Sequence, residues 1–188
     1  CAEHEPGANH PERPDRLRAV QAALDADAFA GLERCQAPRA EVAAIEGVHE
    51  GRYVEEVFES VPGSGRVHLD PDTALSPASG EAALRAAGAA SAAVDAVLEG
   101  EAKNAFCAVR PPGHHAESSR AMGFCLFNNV AVAAHRARTK HGLERVAIAD
   151  FDVHHGNGSQ NFVDRHRDLF FASSHQFPCY PGTGAESE

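Results

Sequence analysis

No two of the five cysteines (Cys1, Cys35, Cys107, Cys125, Cys179) stand in a CxxC pair, and their spacings are wide. That excludes a disulfide framework and zinc-finger spacing, and a reducing compartment is the default. Positive charge is scarce: 17 Lys and Arg face 27 Asp and Glu, for a formal net charge of −10. Such a surface argues against a protein that grips nucleic-acid phosphates directly. No apolar run approaches the ~20 residues of a membrane helix, and no secretory or transit signal is read, so a cytoplasmic protein is expected. Tyrosine occurs only at positions 53 and 180. The 43% hydrophobic content is nonetheless ordinary for a globular core.

The 12 histidines are the unusual abundance. The chain opens on Cys1 and closes in a turn-like polar stretch, and it is expected to be a portion of a longer protein. No repeat or linker divides its 188 residues. Periodicity predicts a helix after Pro14, with Leu17, Val20 and Leu24 at helical spacing, and short helices over 38–45 and 51–60. Residues 61–80 read as loop. Ser79–Leu98 is the clearest helix, with Ser79 as a cap, and a further helix is expected over 129–141. Strands are expected over 104–109, 145–153 and 169–172. Strands alternating with helices predict an α/β fold with a parallel sheet and crossovers.

Chemistry concentrates at Asp150, Asp152 and His154. In an extended strand, residues two apart point the same way, so all three share one side. That side lies at the carboxyl end of the strand, where open α/β sheets bind ligands. Crowding two carboxylates and an imidazole there calls for a cation. Oxygen and nitrogen donors without thiolate fit catalytic Zn(II), and also Fe(II), Co(II) or Mn(II). Arg110-Pro111-Pro112-Gly113 makes a stiff loop that could present His114 and His115 as an acid and base pair, with Asp150 and Asn157 as candidate partners. Gly123 and Phe124 could offer a close backbone approach and an aromatic wall, or plain core packing. Ser173 and Ser174 could give oxygens to a second, hard cation. Tyr180 is a second wall or a loop aromatic.

Together, HPERPDRL (10–17), RPPGHH (110–115), GFCLFNN (123–129), DFDVHHGNGSQ (150–160) and SSHQFPCYPGTG (173–184) resemble the zinc-dependent histone deacetylase superfamily, in its class II and bacterial amidohydrolase branch. The resemblance implies a three-layer αβα fold with a mainly parallel sheet, shared with arginases. Residues 1–188 would be the N-terminal portion of one such catalytic domain, so the fold would be incomplete. It implies Asp152 and His154 as zinc ligands, and His114 and His115 as the catalytic pair, oriented by Asp150 and Asn157. Gly123, Phe124, Tyr180 and Asp72 would bind substrate. Asp150, Ser173 and Ser174 would hold a structural potassium ion.

The implied reaction is hydrolysis of an acetyl amide, on a lysine of a protein or peptide, to acetate and a free amine. An acetylated polyamine is the alternative substrate. An arginase-like ureohydrolase, which would use two manganese ions, and a non-catalytic acyl-lysine module are the competing readings; a homo-oligomer is compatible with each. The family's third zinc ligand, an Asp, and its transition-state tyrosine have no match in this sequence. Glu186 and Glu188 are poor substitutes for that Asp. The isolated chain is therefore expected to bind zinc weakly and to be inactive.

Overall fold

A computed structural model describes residues 1–187; Glu188 lies outside the described residues. The elements in chain order are α1 (Asp15–Leu24), α2 (Val42–Glu46), α3 (Gly51–Glu59), β1 (Val67–Asp70), β2 (Thr73–Leu75), α4 (Ser79–Leu98), α5 (Asn129–Thr139), β3 (Val146–Asp150), α6 (Asn157–Val163) and β4 (Leu169–Ser173). None of the described helices is long and apolar enough to cross a membrane.

β3 and β4 pair in parallel, in register from Val146 opposite Leu169 to Asp150 opposite Ser173, and α6 lies in the connection between them. Strand alternation puts Ile148 and Leu169 on one face, where they join Leu75, Leu84, Leu126, Phe127, Val132 and Phe162 in the core. Ala147, Ala149, Phe170 and Ala172 occupy the other face, which is exposed. The helices among the described residues therefore cover one side of this sheet only.

α4 owes its close packing to small residues. A Cβ on Gly88 would stand 2.1 Å from the Pro38 carbonyl oxygen, so the 37–40 segment crosses the helix at that glycine. The Ala40 N–H donates to the Leu84 carbonyl at 2.9 Å. That bond explains why the helix expected over 38–45 begins only at Val42: Ala40 is committed to α4. α5 starts at Asn128, whose Oδ1 accepts from the Ala131 N–H at 3.0 Å. It is clamped to α4 by Arg136, which donates from Nε and Nη2 to the two oxygens of Asp95 at 2.7 and 2.6 Å. Arg136, working against burial and helped by His141 and Lys140, holds the Asp95 carboxyl well below the usual range.

Four expectations need correction. Residues 104–109 form no ladder, and Phe106 is 73% exposed, so no buried strand is there. The strand expected over 145–153 ends at Asp150. The presumed loop at 61–80 contains the β1–β2 antiparallel hairpin, with a register shift between His68 and Asp70. Ser79 is the first helical residue and not the cap; its hydroxyl accepts from the Ser76 N–H at 2.6 Å.

Candidate active site

The loop after Val109 is anchored from beneath. Arg110 donates from Nε and Nη2 to the two carboxylate oxygens of Glu12 at 2.5 and 2.6 Å, and both side chains are buried. Its remaining bonds go to the carbonyls of Cys1, His4 and Glu12. Burial alone would raise the Glu12 carboxyl, but His4 and Arg110 together hold it low. A bidentate guanidinium–carboxylate pair of this kind fixes orientation as well as charge. It explains the work of Glu12 in the HPERPDRL stretch, which the sequence did not reveal.

On that base sit the two histidines, their rings 4.0 Å apart. His114 Nδ1 lies 2.9 Å from Asp150 Oδ2, and His115 Nδ1 lies 2.8 Å from Asn157 Oδ1. The His114–Asp150 and His115–Asn157 pairs are thus brought together in space. A carboxylate only accepts, so His114 donates from Nδ1. Burial, and then the neighbouring His114, lower His115 to about 4, against a smaller opposing effect of Asn157. His115 is neutral at pH 7. Gly156 makes room for this arrangement: a Cβ there would stand 2.2 Å from Asp150 Oδ2.

The glycine loop closes over His115. Gly123 has φ +58°, and a Cβ on it would meet the His115 ring at 2.3 Å. Phe124 also adopts a left-handed backbone, at φ 67°, which costs roughly 1–2 kcal/mol for a residue with a Cβ. The Phe124 N–H donates to Thr73 Oγ1 and the Gly123 N–H to Asp72 Oδ1, both at 3.1 Å. His10 meets the Phe124 ring edge-on at 4.7 Å and donates to the Asp72 carbonyl. The hairpin therefore positions the glycine loop, a role for His10 and Thr73 invisible without the fold. Burial and the adjacent Asp70 carboxylate push Asp72 upward. Tyr180 faces the rings of His115 at 5.0 Å and His154 at 5.6 Å, so it lies on the site.

Asp152 and His154 arrive differently from the expectation. β3 ends at Asp150, and two side-chain turns follow: the Asp152 N–H donates to Asp150 Oδ1 at 3.1 Å, and the His154 N–H to Asp152 Oδ1 at 2.9 Å. These turns, not strand alternation, bring the three residues together. His154 Nδ1 stands 3.4 Å from Asp152 Oδ1, and both side chains are about half exposed. Among the described residues no third His, Cys, Asp or Glu joins them within ligand distance. A catalytic zinc takes three protein donors, so the described residues offer an incomplete set. Asp95, Glu99 and His141 do cluster, but Arg136 and Lys140 already neutralise those carboxylates.

The residues expected around potassium also meet. Asp150 and Ser173 are register partners, and the Ser174 N–H donates to the Asp150 carbonyl at 2.9 Å. The Ser173 hydroxyl is engaged by His175 Nδ1 at 2.8 Å.

Comparison with known proteins gives consistent matches. The model of the histone deacetylase domain matches residues 10–188. A histone deacetylase-like amidohydrolase of Pseudomonas aeruginosa is 44% identical over 182 residues, covering 95% of this chain and 48% of that protein. A probable deacetylase of Archaeoglobus fulgidus is 39% identical over 188 residues, covering 98% and 52%. The crystal structure of the HDA15 HD domain superposes with a TM-score of 0.91 at 38% identity, covering 97% of this chain and 54% of that one. The chain thus spans about half the length of these relatives. The fold is the arginase/deacetylase-like α/β fold, as the sequence implied.

Proposed function

We infer the activity from one premise: this chain belongs to the histone deacetylase family, whose domain model spans residues 10–188. The proposed reaction is metal-dependent hydrolysis of an acetyl amide, on an acetyl-lysine side chain or a related amine, to acetate and the free amine. The observation that supports it is the paired imidazoles, each held at Nδ1 by its own acceptor. Both rings then turn Nε2 away from these anchors. Neutral His115 is the group suited to take a proton from water, and His114, anchored on Asp150, to complete proton delivery to the leaving amine. In this reading the Gly123 carbonyl accepts from the substrate amide, and Phe124 and Tyr180 flank the acyl chain.

A divalent metal, when bound, would supply Lewis-acid polarisation of the acetyl carbonyl. Asp152 and His154 are proposed as two of its donors, the third coming from sequence outside this chain. A cationic polyamine substrate is favoured as a second reading by Asp72, which accepts from the Gly123 N–H of the glycine loop, and by Asp70 beside it.

The test is release of acetate from a fluorogenic acetyl-lysine peptide and from acetylspermidine, by this chain and by a protein of full family length. Zn²⁺, a chelator and the His115→Ala variant serve as controls. Chelator-sensitive turnover by the longer protein, lost in His115→Ala, is expected, with little or none from this chain. Binding of the acetylated ligand without turnover by either protein would overturn the enzymatic reading.

A further inference from the structure

We propose that Glu117 sets the tautomer of His115 by fixing which way the Asn157 amide faces. This deepens the proposed function and rests on His115 acting as the base. An asparagine amide is nearly symmetric in shape but opposite in hydrogen bonding at its two ends. With Oδ1 toward His115, the imidazole proton must sit on Nδ1, leaving the Nε2 lone pair for chemistry. With the NH2 end toward His115, Nδ1 must accept, the proton moves to Nε2, and the ring cannot act as a base.

The surroundings of the other end decide between the two. Asn157 Nδ2 lies 2.7 Å from Glu117 Oε1, 3.4 Å from the His115 carbonyl oxygen and 3.4 Å from Met122 Sδ. All three are acceptors, and the Glu117 carboxylate is the nearest and the strongest. Only the NH2 end satisfies them, so Oδ1 faces His115 at 2.8 Å. Both His115 and Asn157 are buried, where a wrongly turned amide has no water to rescue it.

Glu117 is itself well placed to impose this choice. Its N–H donates to the Arg120 carbonyl at 3.0 Å, and its carbonyl accepts from His49 Nδ1 at 2.8 Å. His114 has no equivalent need: its partner Asp150 is a carboxylate and presents an acceptor whichever way it turns. Glu117 is therefore a positioning residue, two positions beyond the base it serves.

The experiment reads the tautomer directly and activity separately. In the full-family-length protein with ¹⁵N-labelled histidine, NMR at neutral pH should show His115 protonated at Nδ1. Glu117→Ala should give a mixture or the Nε2–H form, with kcat reduced roughly 10- to 100-fold and KM little changed. Glu117→Gln, which can still accept from Asn157, should restore both. The deciding step is the Asn157→Asp background. A carboxylate cannot be misturned, and there Glu117 only adds a like charge. Glu117→Ala should then be harmless or beneficial, so its effect changes sign. An unchanged Nδ1–H tautomer in Glu117→Ala, or the same loss in both backgrounds, overturns the proposal. A tautomer that moves as described in a full-family-length protein that hydrolyses no acetyl amide upholds the positioning role and overturns the proposed function instead.

Discussion

Residues 110–117 and residues 150–154 carry paired polar side chains to the same place, yet they are built differently. The first loop stands on a buried guanidinium–carboxylate pair, and its two histidines are each fixed by a separate side chain. The second loop is held by backbone N–H groups folding back onto its own aspartates, and Asp152 and His154 remain open to solvent. The half proposed to transfer protons thus has each imidazole held by its own side-chain partner. The half proposed to donate to a metal, Asp152 and His154, is a half-exposed pair that a bound cation and a further ligand would order. Such a division suits a base, whose geometry must be set within a few tenths of an ångström. It suits metal donors less critically, because a cation gathers its own ligands.

The largest expected effect comes from breaking the anchor of the first loop. Arg110→Ala leaves the buried Glu12 carboxylate without its bidentate partner, with only His4 at 3.5 Å and the more distant, exposed Arg16 guanidinium at 4.0 Å beside it. Removing one partner of a buried ion pair typically costs about 3–5 kcal/mol. Urea denaturation should show a loss of that size. A loss under about 1 kcal/mol, the scale of an exposed pair, would mean that the first loop is no better anchored than the second.

A somewhat smaller effect is expected from pH, and it too falls on the buried side. His49 accepts the Asn128 N–H at Nε2 and donates from Nδ1 to the Glu117 carbonyl, so it serves as a neutral strut beneath the glycine loop. Burial, only partly offset by its backbone hydrogen bonds, lowers it from 6.5 to about 4. The unfolded chain therefore binds the proton more readily than the folded one. The contribution to stability is full above about pH 6.5, shrinks as pH falls toward 4, and is gone below that, a change of roughly 3 kcal/mol. His115, also lowered to about 4, adds in the same direction and the same window. Urea midpoints measured from pH 7 to pH 4 should fall in the parent protein and fall less steeply in His49→Gln. Equal slopes would remove His49 from the acid sensitivity of the loop.

The same contrast governs what could be read from the chain beforehand. End signals and alanine content located α4 from Ser79 to Leu98, although Ser79 is its first helical residue and not its cap. Motif spacing likewise brought His114, His115, Asp150 and Asn157 together. Strand arguments fared less well. Asn104–Val109 has the apolar content of a strand, but hydrogen-bonded neighbours, not composition, make a ladder, and it has none among the described residues. Asp150, Asp152 and His154 do converge, but the period-2 reasoning used to predict it was wrong: aspartate side chains capture the backbone N–H groups and end the strand first. Glu12, His49, Thr73 and Glu117 were illegible for another reason. Each acts through contact with a residue at least 40 positions away, and no local pattern records such a contact.

The smallest stability effect should come from the second loop, and that makes it the sharpest comparison with Arg110→Ala. Asp152 is half exposed; its carboxylate accepts one backbone N–H and lies 3.4 Å from the His154 imidazole. Asp152→Ala should therefore change the urea midpoint by no more than about 0.5 kcal/mol, the range of ordinary surface substitutions. The same change should abolish uptake of Zn²⁺ or Co²⁺ by the full-length protein, because it removes one of the two donors that these residues supply. His115→Ala should do the reverse, sparing metal uptake while eliminating turnover. The two variants together separate a donor from a base in a way that activity alone cannot, since both would be inactive. Equal metal loss in both would place His115 among the donors and would erase the distinction between the two loops. A loss above about 2 kcal/mol in Asp152→Ala would show that the open loop is part of the fold's support, and that its exposure is a poor guide to its work.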